Sequence, residues 1–287
     1  MPPVLVIARL TIQEAARRRL LLALVVLTLI VVGFSAWGFH KITTVTRSDG
    51  SPLPPVQVAL ITSQLLIVVT FMYSGVLALS AAVVAGPLIS SEVESGLLLS
   101  MLARPLRRSE VVIGKWLGLA VLAGIYAAGS AFLELAAVDW ATGYLPPRPV
   151  DLVLYVGAEG LVLLSLGLLL STRLSGITGG VIALVAWLMG WIGGVVGSIG
   201  AGLQNQAVEN VGVISQLVLP SDGLWRGAIY AMEPDTLLAT LRAAGTVGRA
   251  NPFSATDPPP VAYLAWVVIW FALMLALAIW SFRTREI

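Results

Sequence analysis

Six charge-poor apolar runs, each about the length needed to cross a bilayer, decide most of what this chain can fold into. They cover residues 20–39, 56–87, 111–137, 152–170, 177–199 and 263–282. A hydrocarbon core of about 30 Å is crossed by roughly 20 helical residues, each rising about 1.5 Å. The runs are continuously apolar and do not alternate, so they read as helices that satisfy their own backbone and not as barrel strands. With 58% hydrophobic and only 11% charged residues among 287, the chain lacks the polar surface of a soluble domain. The expected fold class is an all-α membrane protein: one transmembrane domain over residues 1–287 with six transmembrane helices.

The first run follows Arg17, Arg18 and Arg19, as a secretory signal would. Its apolar core exceeds the usual span of about 7–15 residues and five more runs follow, so it is expected to be retained. Ahead of it, Leu5, Ile7, Leu10, Ile12 and Ala15 interleave with Arg9, Gln13, Glu14 and Arg17. That spacing predicts an N-terminal amphipathic interface helix lying along the inner leaflet. Thr11 and Glu14 have capping-box spacing, but helix-forming residues precede them, which argues against a helix start there.

Orientation follows from Lys and Arg. With the N-terminus inside, Arg9, Arg17, Arg18, Arg19, Arg104, Arg107, Arg108, Lys115, Arg173, Arg283 and Arg285 fall on the inner side. The outer side receives Lys41, Arg47, Arg148, Arg226, Arg242 and Arg249, the last three in one long connection where the positive-inside rule weakens. Both termini are expected in the cytoplasm. Residues 88–110 then form a cytoplasmic loop and residues 201–260 a long extracellular one. Within the latter, 217–232 has helical spacing at Leu224, Ala228 and Met232 and interfacial residues at Trp225 and Tyr230, which predicts a short helix on or dipping into the outer leaflet.

The missing chemistry is equally informative. No G-x-x-x-x-G-K-[ST] occurs, so no P-loop cradles nucleotide phosphates. One histidine, His40, and no cysteine leave neither a His-based triad nor an ordinary zinc site, and a net charge of +2 gives no electrostatic footprint for nucleic acid. Catalytic, cofactor-binding and metal-ligating residues are therefore expected to be none. Glu159 falls within the fourth run, where a charge costs about 2.5–3.5 kcal/mol on insertion scales; a water-facing vestibule or substrate-path position is its expected place. Glu134 and Asp139 are expected as solvated residues at the outer end of the third run. In the fifth run, Gly190/Gly194 and Gly193/Gly197 form overlapping G-x-x-x-G spacings that permit close helix approach, to a helix of this chain or of a second copy. Trp266, Trp270 and Trp280 fit lipid-facing or belt positions.

Residues 88–110 gather charge between two apolar runs. Leu97, Leu98, Leu99, Met101 and Leu102 are expected to make a short cytoplasmic coupling helix between the second and third spans, flanked by Glu92, Glu94, Arg107 and Arg108 and suited to docking in a groove of a soluble partner. Here the chain resembles the membrane subunits of ABC type-2 transporters. Their inner loop after the second span runs Glu, a short gap, Glu-x-Gly-Thr, then Leu-Leu, Pro, a small residue and Arg, and finally Gly-Lys. In this sequence those positions are Glu92, Glu94, Gly96, Leu98, Leu99, Pro105, Arg108, Gly114 and Lys115. Leu97 stands where the family usually has threonine and Arg107 where it often has serine.

The resemblance implies a permease subunit that forms the translocation path of an exporter in a prokaryotic inner membrane. ATP and Mg would be bound by a separate ABC ATP-binding subunit, present in two copies, and a second permease copy would complete a homodimer within the lipid bilayer. It implies ATPase coupling through Glu92, Glu94, Gly96, Leu98, Leu99, Pro105, Arg108 and Lys115. Glu159, Gly190, Gly194 and Gly197 are the residues expected along a substrate path. A membrane scaffold binding a cytoplasmic partner through the same loop, and a transporter driven by an ion gradient through Glu159, are the alternatives the residues leave open.

Overall fold

The structure is a computed structural model and describes residues 2–17, 19–46, 50–94, 107–245, 248 and 250–285. Among them the regular elements are helices: α1 (Pro3–Arg17), α2 (Arg19–Thr43), α3 (Pro55–Ala85), α4 (Ser90–Glu94), α5 (Arg108–Thr142), α6 (Pro149–Ser171), α7 (Gly176–Gly202), α8 (Gln206–Val218), α9 (Ser221–Met232), α10 (Asp235–Ala243) and α11 (Val261–Arg283). Six of them, α2, α3, α5, α6, α7 and α11, are long and apolar enough to cross a membrane. With 31 and 35 residues, α3 and α5 outrun a bilayer core of about 30 Å and reach beyond it or tilt.

Local chemistry sets the ends. Gly143 takes a left-handed φ of 69° and closes α5 with its N–H on the carbonyl of Asp139, a conformation that a residue with a Cβ enters only at a cost. Pro149 opens α6, where its missing N–H is no loss. Asn205 caps α8, its Oδ1 accepting from the N–H groups of Ala207 and Val208.

The hub of the bundle is α6, which packs on α3, α5, α7, α9 and α11. The helix α1 lies against α5, in a groove opened by Gly114 and Gly118. A Cβ at Gly118 would stand 2.7 Å from the carbonyl oxygen of Ala8. α1 thus has a protein-bound side of Ile7, Ala8, Thr11 and Ala15, while Leu5, Val6 and Leu10 remain exposed. Thr11 sits in mid-helix and donates to the carbonyl of Ile7, so it caps nothing.

The 217–232 segment packs more closely on the bundle than its composition indicates. The helix expected there is present as α9, with Leu224, Trp225, Ala228, Ile229 and Met232 buried against the bundle. Before it, α8 turns back antiparallel along α7, with Gly197 on Gly212 and Gly193 on Ser215. The break between α8 and α9 touches Gly190, twelve residues or about 18 Å from the Gly202 end of α7, deep within the bundle.

A helix ending at that depth leaves carbonyls that water does not reach. The last spanning helix supplies their donors. Tyr263 Oη donates to the carbonyl of Pro220 at 2.9 Å, Trp266 Nε1 to that of Leu217 at 3.1 Å and Trp270 Nε1 to that of Val218 at 3.0 Å. Two of the three belt tryptophans are therefore anchors of the broken segment, whereas Trp280 stays exposed. Trp270→Phe keeps the ring and removes the N–H; it should lower stability against denaturant in detergent by about 1–3 kcal/mol. Unchanged stability would contradict the anchoring role.

Candidate coupling and translocation sites

At the end of the bundle that carries α4, two of the residues read from sequence as coupling residues, Glu92 and Lys115, grip one another. Lys115, on the second turn of α5, is 3% exposed. Its Nζ meets Glu92 Oε1 at 2.5 Å and donates to the carbonyl of Leu88 at 3.0 Å. An ammonium removed from water requires such partners, and the pair fixes the 86–89 turn and α4 onto α5. Next to it, Ile89, Val112, Leu168 and Phe282 form one buried apolar cluster. Pro87 lies on the start of α7, where a Cβ on Gly176 would fall 2.8 Å from Pro87 Cβ. Glu94 closes α4; Gly96, Leu98, Leu99 and Pro105 lie outside the described residues.

Arg108 is at the head of α5, and its Nη1 donates to the carbonyls of Phe282, Arg283 and Arg285. A cation there answers the negative end of α11 and fills acceptors left open at the helix terminus. Arg173 donates to Ser281 and Thr284, and Arg285 donates to the carbonyl of Thr172 at 2.7 Å. The arginines thus clasp α5, α6 and α11 together, a role that charge counting assigned only to membrane orientation.

In the middle of the bundle, Glu159 is 1% exposed, so it does not face a water-filled vestibule. Its Oε1 accepts from Ser74 Oγ at 2.6 Å on α3 and from Trp187 Nε1 at 3.0 Å on α7, while Oε2 has no hydrogen-bond partner among the described residues. The carboxyl therefore ties three spanning helices at one point. Trp187 also belongs to a ring cluster around Phe71, with Trp191, Trp225 and Phe253 at centroid distances of 5.0–5.8 Å from Phe71 and Trp187 at 6.0 Å. Glu134 departs from the solvated edge position as well: it is 4% exposed and faces Tyr73 Oη. The reason is that α5 continues to Thr142, well past the expected end of its apolar run, so Glu134 lies inside the helix bundle.

The glycines of α7 meet this chain's own α8 and α9. Gly190 faces Ser221 and Leu219, Gly194 faces Asp222, and Gly197 faces Gly212. The Asp222–Arg226 pair closes over them: Arg226 Nε donates to Asp222 Oδ2 at 3.1 Å, and its Nη2 to the carbonyl of Gly194 at 2.7 Å and to Ser198 Oγ. Asp222 also accepts from Gln216 at 2.8 Å. The i,i+4 spacing of Asp222 and Arg226 is a sequence signal for this pairing, although not for its burial.

Glu233 ends α9 and is wholly buried. Its Oε2 accepts only a long bond from the N–H of Ala255, at 3.4 Å, and Oε1 has no hydrogen-bond partner among the described residues. Burial pushes its pKa up from 4.5 to about 7, partly offset by the Ala255 bond. Next to it, Tyr144 donates to the carbonyl of Met232 at 2.7 Å, and burial raises its pKa too.

Among the described residues, no three side chains of metal-ligating type cluster. Comparison with known families places the whole arrangement: the profile of the ABC-2 family transporter protein matches residues 5–287. The chain belongs to that family and is a multi-pass integral membrane subunit of an ABC transporter. No curated protein compared with it matches.

Two outcomes follow from these sites. A native state that keeps a proton on Glu233 after the unfolded chain has released its own loses stability as pH rises from about 4.5 to about 7, and has the full contribution below that window. Glu233→Gln should therefore raise the unfolding temperature at pH 8 while the gain shrinks toward pH 5; equal gains at both would contradict the assignment. Removing the charge at Lys115 while Glu92 stays should cost about 3–5 kcal/mol, the usual penalty for orphaning one member of a buried pair, read from denaturant unfolding in detergent.

Proposed function

We propose that this chain is the translocation subunit of an exporter and that separate ATP-binding subunits drive it through residues 88–110. The supporting observation is mechanical continuity: α4 is tied to α5 by Lys115, and Pro87 rests on the first turn of α7 at Gly176. Force applied at α4 reaches two spanning helices through packed backbone and one buried ion pair. In this reading two copies of the chain pair along α3 and α7, both termini lie in the cytoplasm of a prokaryotic cell, and each loop receives one ATPase. Nucleotide binding favours one of two arrangements of the bundle by differential affinity.

The roles of the loop residues divide accordingly. Glu92, Arg108 and Lys115 hold the loop in register, and Glu94 with the segment containing Gly96, Leu98, Leu99 and Pro105 meets the ATPase. ATP and Mg are bound on that partner. The path for cargo lies beside α3 and α7, with Glu159 and the glycines Gly190, Gly194 and Gly197 setting how closely the helices around it approach.

Charge reversal tests the division. With the cognate ATPase reconstituted alongside, Glu92→Lys and Lys115→Glu should each reduce cargo-stimulated ATPase activity about tenfold or more, and the double reversal should restore a large part of it. Glu94→Lys should instead reduce recovery of the ATPase with the tagged chain. Full activity in both single reversals would contradict the coupling path.

A further inference from the structure

At the end of the bundle away from α4, an open cavity of about 270 Å³ lies between α7, α8, α9 and the segment leading to α11. Its lining residues include Gly194, Gly197, Glu209, Gln216, Arg226 and Asp257. Three hydrogen bonds, to Asp222, Ser198 and the Gly194 carbonyl, pin the Arg226 guanidinium, and Nη1 takes part in none among the described residues. Asp222 already answers the charge of Arg226, and Arg242 answers Asp257 at 3.5 Å. Glu209 is different: its carboxylate takes part in no hydrogen bond or ion pair among the described residues.

The cavity thus offers a rigid guanidinium with a free N–H, an amide and an uncompensated carboxylate. A simple anion would be repelled by Glu209, and a metal cation would find too few ligands, since no three metal-ligating side chains cluster among the described residues. A molecule carrying both signs meets every group: its ammonium on Glu209, its anionic oxygen on Arg226 and Gln216. We infer that this cavity is a binding site for a small dipolar ligand with a primary ammonium and a phosphate or carboxylate, as in a free zwitterion or an ethanolamine lipid headgroup.

The test uses the purified full chain in detergent and requires no ATPase, so it is independent of the coupling reading. Calorimetric titration compares O-phosphoethanolamine with phosphocholine, whose quaternary ammonium has no N–H, and with inorganic phosphate. Native mass spectrometry compares retention of phosphatidylethanolamine with that of phosphatidylglycerol. In at least one arm the ethanolamine probe should bind saturably and about tenfold or more better than its counterparts, the value of a charge-assisted hydrogen bond. Glu209→Gln should abolish that preference at an unchanged unfolding temperature. Binding of O-phosphoethanolamine identifies a free zwitterion; preference confined to the lipid arm identifies a headgroup. Absence of the preference in both arms, or its survival in Glu209→Gln, overturns the site.

Discussion

A helix that stops in the middle of a bilayer must find donors for its last carbonyls, and the far half of this protein is arranged around that need. The α8–α9 break has three acceptors at depth, the carbonyls of Leu217, Val218 and Pro220, and α11 meets them with Trp266, Trp270 and Tyr263. Bringing α8 back along α7 requires contact between backbones, which Gly197 and Gly212 permit by having no Cβ. The same return path places Asp222 and Arg226 over α7, where each neutralises the other. Glycines, aromatic donors and the ion pair are thus successive consequences of one broken segment.

The other end of the bundle is governed by charge. Lys115 is buried and held by Glu92 and by the carbonyl of Leu88, while Arg108, Arg173 and Arg285 close the ends of α6 and α11. Charged groups here act as fasteners between helices, beside the Thr172–Ser281 hydroxyl contact. In the proposed exporter this rigidity has a use, because a loose loop would absorb the displacement that nucleotide binding produces. At mid-depth Glu159 makes a third joint, between α3, α6 and α7, from Ser74 and the Trp187 indole.

The spanning helices were legible in the sequence because length and continuous hydrophobicity are properties of a single segment. Family membership was legible for a similar reason, since the ordered residues from Glu92 to Lys115 can be read without knowing their partners. What could not be read was which surface each helix would meet. The pattern at Leu224, Ala228 and Met232 specifies an apolar stripe, and the same stripe serves a helix in the leaflet or one buried in a bundle. Trp266 and Trp270 have the composition of a belt, and only the position of the α8 terminus turns their N–H groups inward. The length of α5 carries Glu134 inside the bundle, and the distance between Glu92 and Lys115 along the chain hides their ion pair.

The central claim is that α4 and α7 move as one body when nucleotide binds to the partner subunits. The native chain has no cysteine, so a single introduced thiol can be spin-labelled without interference. Ser91→Cys on α4 and Ile177→Cys at the start of α7, labelled in separate samples of the reconstituted complex, give distances between the two copies of the proposed dimer by pulsed electron resonance. The account predicts that both distances shift together, in the same direction, on addition of ATP under non-hydrolysing conditions. A shift at position 91 with position 177 unmoved would contradict it.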